Sequence, residues 1–153
     1  MNAHYTRRQL IKGGTALGAW LIVGEAVATP QSMKEAMTEF TANTTLSRGR
    51  VKLEIAELID NGNTVPVSIR VDSPMTEADH VTAIALFSEK NPESLAFLAR
   101  MNHHAGRAAV STRIRLANSQ TIVAVAKMKD GSCWMHSAEV IVTIAACIED
   151  EDV

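Results

Sequence analysis

The chain predicts an all-β sandwich, and three observations carry that prediction. Several runs alternate apolar and polar residues with a period of two, the mark of strands with one wet face. Three more runs are apolar on both faces and suit inner strands. Turn signals built from Asn, Asp, Gly and Pro separate the runs, with no helical pattern between them.

The first element is the exception. Over residues 31–40, Met33, Met37 and Phe40 fall on one stripe, with Lys34, Glu35 and Glu39 elsewhere, which predicts one amphipathic helix. After "TANTTLSRGR" alternation takes over. Val51, Leu53 and Ile55 alternate with Lys52 and Glu54, then Val65, Val67, Ile69 and Val71 with Pro66, Ser68 and Arg70. Pro66 has no N–H to give to a ladder, so it predicts an edge or a bulge where its strand begins. "VTAIALFS" (81–88) is apolar on both faces. Val110, Thr112, Ile114 and Leu116 against Ser111, Arg113 and Arg115 form the clearest one-sided strand. "QTIVAVAKM" (120–128) and "AEVIVTIA" (138–145) complete the inner set.

The turns are Asn61-Gly62-Asn63, Asp72-Ser73-Pro74, Asn91-Pro92 and Asp130-Gly131. The last is a hairpin signature joining 120–128 to the final strand. Six or seven such strands make an immunoglobulin-like β-sandwich of about seven strands the predicted architecture, with a short N-terminal helix before it and a C-terminal arm after it. No internal repeat or low-complexity segment is visible.

The N-terminus predicts export. Thr6-Arg7-Arg8-Gln9-Leu10-Ile11-Lys12 is a basic region with paired arginines, and the apolar stretch "GGTALGAWLIVG" (13–24) follows directly. Ala26-Val27-Ala28 is a small-x-small site suited to cleavage after Ala28. The stretch is shorter than the roughly 20 residues a membrane span needs. Arg7 and Arg8, with Leu10 and Ile11 after them, resemble the twin-arginine signal, which predicts the periplasm of a Gram-negative bacterium. An uncleaved anchor or a buried helix is the alternative for the same residues. Cleavage leaves 12 basic and 16 acidic groups, a net charge of −4. That balance suits one soluble domain with its own core rather than a nucleic-acid binder or a membrane protein.

Little in the chain points to catalysis. There is no Ser-His-Asp set, no phosphate-cradling glycine loop and no paired carboxylates beside a pocket. His103 and His104 are adjacent, would face opposite ways on an extended chain, and have no Cys or carboxylate at metal-ligand spacing, so "RMNHHAGR" reads as a solvated polar loop rather than a metal site. His80 and His136 stand alone beside strands. Arg107, Arg113 and Arg115 form a basic strip, either a solvated strand face or an anion site. No cofactor is expected.

Two cysteines remain. If the final strand is continuous, Cys133 and Cys147 lie roughly 46 Å apart when fully extended, far beyond the spacing of about 7 Å a disulfide tolerates. Cys133, in "DGSCWM" beside Trp134, is expected to be a small packing residue. Cys147 lies past the last strand, where a thiol is expected to be accessible. It is the candidate site, with pairing between chains as one alternative.

Several stretches together carry a family resemblance: "LSRGRVKLEIAELIDNGNTVPVSIRVDSPM", "ALFSEKNP", "GRAAVSTRIRLANSQTIVAVAKMKDGS" and "EVIVTIAAC". The chain resembles SoxY, the sulfur-carrier subunit of the thiosulfate-oxidising Sox system. The resemblance implies a sandwich that pairs with a second subunit, SoxZ, and is co-exported with it. It implies a covalent sulfur attachment site at Cys147 that presents S-thiosulfonate or persulfide adducts to separate Sox enzymes, and so a carrier rather than an enzyme. The alternative is a non-carrier SoxY paralogue, a structural or regulatory partner of a SoxZ-like subunit. The family's arm ends in Gly-Gly-Cys-Gly-Gly, whereas Cys147 is flanked by Ala145, Ala146, Ile148 and Glu149. These replacements are expected to stiffen the approach to the thiol. The acidic run Glu149-Asp150-Glu151-Asp152 is expected to disfavour the thiolate and repel anionic cargo. The expected organisation is a signal over 1–28, helix and linker over 29–49, sandwich over 50–146, and cysteine arm with acidic tail over 147–153.

Overall fold

The computed structural model describes residues 30–144. It is an all-β sandwich of two sheets with one short α-helix. The helix α1 (Pro30–Thr41) is followed by β1 (Leu46–Arg48), β2 (Val51–Glu54), β3 (Leu58–Ile59), β4 (Val65–Val71), β5 (Val81–Ser88), β6 (Leu95–Arg100), β7 (Ala109–Ile114), β8 (Gln120–Met128) and β9 (Cys133–Val142). The larger sheet runs β1-β9-β8-β5-β6, with β3 also on β9, and the smaller runs β2-β4-β7.

The alternation in the sequence sets which side chains meet between the sheets. In β4, Val65, Val67, Ile69 and Val71 are buried while Pro66 and Arg70 face solvent. They pack against Val51 and Leu53 of β2 and against Ile84, Leu86, Ile122, Ala124 and Ala126 of the larger sheet. β5 and β8 are apolar on their other face too, because α1 covers it. Met33, Ala36, Met37 and Phe40 lie over Ala85, Phe87, Val123 and Val125, with the Phe40 and Phe87 rings edge-on at 5.8 Å. The Asp130-Gly131 signature does form the β8–β9 hairpin: Gly131 takes a φ of 87°, and Met128 N–H donates to Ser132 O at 2.9 Å.

Pro66 sits in the middle strand of the smaller sheet, yet at a local edge. The β2–β4 ladder ends at Glu54↔Ser68, so at position 66 β4 pairs only with Arg113 of β7.

Two strands line one edge of β9 in parallel. β1 pairs its beginning (Leu46↔Cys133) and β3 its end (Leu58↔Ile141). Between them the chain crosses into the smaller sheet as β2. There His136 Nδ1 accepts a hydrogen bond from Leu53 N–H at 2.9 Å, tying β9 to β2 across the sandwich. A His136→Phe substitution leaves that N–H without a partner and is expected to cost about 1–3 kcal/mol. A urea melt checks it: a midpoint within error of wild type would mean water replaces the ring at no cost.

Candidate functional site

The candidate thiol Cys147 and the paired arginines Arg7 and Arg8 lie outside the described residues. The root of the arm lies within them, and its geometry is specific. Ser119 Oγ accepts from Val142 N–H at 2.9 Å. Thr143 N–H donates to Ile59 O at 3.0 Å, and Thr143 Oγ1 donates to Asp60 O at 2.9 Å. Gly62 N–H donates to Ile144 O at 2.8 Å, and Leu116 N–H donates to Gly62 O at 2.8 Å. The chain is thus fastened from both sides up to Ile144, three residues before Cys147. The covalent reach of three residues is about 10 Å at most. Around the root, Leu58, Ile141 and Ile144 are each about 60 % exposed (61 %, 59 % and 61 %).

The second cysteine is at the other end of β9. Cys133 is buried at 1 % exposure, and its Sγ approaches Gly131 O at 3.7 Å. Burial raises its thiol pKa, partly opposed by the nearby Lys127 ammonium. Its expected packing role is what the structure shows. β9 runs unbroken for 10 residues from Cys133, about 30 Å of strand, and the five residues from Val142 to Cys147 span at most about 18 Å. An intrachain disulfide is therefore out of reach. Ellman titration of the native reduced chain at pH 8 is expected to count one thiol, and two after denaturation; two native thiols would contradict the burial of Cys133.

The histidines are less isolated than the sequence implies. His103 and His104 begin a short 3-10 turn, capped by Asn102, whose side chain accepts from His104 N–H at 3.0 Å. The turn, unlike an extended chain, brings their rings to 3.9 Å, and His103 lies 5.6 Å from His80. His80 is buried and bonded through Nδ1 to Thr76 O at 2.9 Å. No cluster of three or more His, Cys, Asp or Glu side chains able to hold a metal occurs among the described residues.

Of the basic strip, Arg113 and Arg115 share the outward face at the arm end, while Arg107 lies before the start of β7, at the far end of that strand. Asn91 completes the arm end: its side chain accepts from Ala117 N–H at 3.0 Å and donates to Arg115 O at 2.8 Å. Asn91, Ser119 and Gly62 act through backbone bonds across the chain, and only their place in turn-forming stretches marked them in the sequence.

The described residues define an immunoglobulin-like sandwich whose last strand is clamped at its end, with one thiol, Cys133, sealed in the body. Residues 37–147 match the family described as sulfur oxidation protein SoxY, and the match ends on Cys147. The chain belongs to the SoxY family and is a sulfur-oxidation protein of the Sox system.

No curated protein matches the chain. Among solved structures, it is similar to a superoxide reductase (neelaredoxin) from Ignicoccus hospitalis at 19 % identity, covering 78 % of this chain and 98 % of that one, with a TM-score of 0.54. It is also similar to a superoxide reductase from Nanoarchaeum equitans (14 %, 63 % and 97 %, TM-score 0.52). A hypothetical protein from Pyrococcus horikoshii matches as well (14 %, 68 % and 99 %, TM-score 0.53). At such identities the likeness shows a shared fold alone.

Proposed function

We propose that this chain is a periplasmic sulfur carrier that holds oxidation intermediates covalently on Cys147 and presents them to separate Sox enzymes, as a heterodimer with a SoxZ-like subunit. The observation that carries this reading is the clamp at Ile144. It fixes the chain three residues before Cys147, while burial withholds Cys133 from the same chemistry. The thiolate is the reacting form. Joining it to thiosulfate through an S–S bond releases two electrons, which the acceptor of a separate loading enzyme takes up. The carrier supplies the nucleophile and the tether, and no catalytic residue of its own. Arg7 and Arg8 support export by the twin-arginine route, together with the partner. The exposed Leu58, Ile141 and Ile144 give the arm root a surface for the proteins it meets.

The purified pair, incubated with thiosulfate and its loading enzyme, is expected to gain the mass of the sulfur adduct on the C-terminal peptide. No gain there, while a glycine-armed control is loaded, rejects the carrier reading. One observation favours a second reading: none of the family's four arm glycines flanks Cys147. On that reading the chain is a structural or regulatory paralogue that binds a SoxZ-like subunit through its sandwich.

A further inference from the structure

The outer face of the smaller sheet is cationic on a protein that is acidic overall. Lys52, Arg70 and Arg113 point outward from β2, β4 and β7, and Glu54 is the face's only carboxylate on those strands, already held by Lys52 at 3.0 Å. At the arm end Arg113 and Arg115 line a shallow cleft of about 430 Å³ with Asn91 and Glu93. Glu93 is not within ion-pair distance of either arginine; the ion pairs among the described residues are Arg50–Asp79 and Lys52–Glu54. Both guanidinium groups are exposed and lack a side-chain partner among those residues.

The chain leaves the described structure beside them. Ile144 O and Leu116 N–H are both bonded to Gly62, each at 2.8 Å, and Arg115 is the residue before Leu116. Glu149 follows Ile144 by five residues, a reach of about 17 Å. Four consecutive carboxylates, Glu149 to Asp152, therefore start within range of the two unpaired arginines.

We propose that the cationic end of this sheet is a docking site for the chain's own acidic tail: Glu149–Asp152 folds back onto Arg113 and Arg115. Docking draws negative charge away from Cys147 and holds the arm against the body until a visiting protein displaces it. It depends on charge and reach, not on whether Cys147 carries sulfur. Two exposed ion pairs favour the docked arrangement by roughly three- to tenfold at low salt. That preference vanishes near 1 M, where the screening length falls to about 3 Å.

The test places a nitroxide beyond the acidic run, on the Val153→Cys chain carrying Cys147→Ser, Cys133 being too buried to label, and reads paramagnetic broadening of backbone amides. Broadening centred on Arg113, Arg115 and Leu116 is expected at low salt. It should weaken several-fold at 1 M NaCl, in the Arg113→Gln/Arg115→Gln double variant, and when the four acidic residues become amides. Broadening absent at low salt, centred on another surface, or indifferent to salt and to the substitutions overturns the proposal. Broadening that fades on dilution assigns the contact to a second copy and also overturns it. Since the measurement uses no cargo, failure of sulfur loading leaves its outcome unchanged.

Discussion

A strain carrying Cys147→Ser is expected to lose thiosulfate oxidation completely, with the level of the chain and its partner binding unchanged. A serine hydroxyl forms no S–S bond, so no adduct can be stored. The substitution also lies three residues beyond Ile144, the last of the described residues, whose carbonyl is bonded to Gly62 N–H. The companion change has the opposite signature. Cys133→Ser puts a hydroxyl at a site that is 1 % exposed and is expected to cost about 1–3 kcal/mol of stability, while loading proceeds. Growth on thiosulfate, adduct mass and a urea melt separate the two cysteines. Normal oxidation in the Cys147→Ser strain, with a defect on deletion of the whole chain, would select the non-carrier reading.

How far the molecule is legible in its sequence varies from strand to strand. In β4 and β7 a period of two was enough, since one face of each strand is wet and the other lies in the core. β6 escaped notice because Leu95–Arg100 lies at the sheet edge and is nowhere fully buried, with Leu95 and Leu98 about 40 % exposed. β1 and β3, of three and two residues, are too short to show any period; the open edge of β9 specifies them. β9 itself begins at Cys133 rather than Ala138. Its first half mixes polarity, and the inward His136 is a hydrogen-bond acceptor that an apolar pattern does not anticipate. The same limit applies at the site. The terminal thiol and the outward arginines are visible in order and spacing, but the clamp at Ile144 joins residues from three parts of the chain and exists only in the fold.

Phe87→Ala is expected to have the largest effect on stability, about 3–5 kcal/mol, a large share of the roughly 5–15 kcal/mol that holds such a domain together. The ring is 1 % exposed on the outer face of the larger sheet, where it meets Phe40 edge-on and closes the layer under α1. Its loss opens a cavity that neighbouring Ala85 is too small to fill, and it removes the anchor of the helix. The inner core, built on Ile84, Leu86, Ile122 and Leu116, does not involve this ring. The urea midpoint should therefore fall with the sandwich still folding, and proteolysis should reach α1 before the strands. Phe40→Ala, which truncates a ring still partly open to solvent, should cost distinctly less. The reverse order would mean that the helix, rather than the sheet beneath it, provides most of the stability of this outer layer.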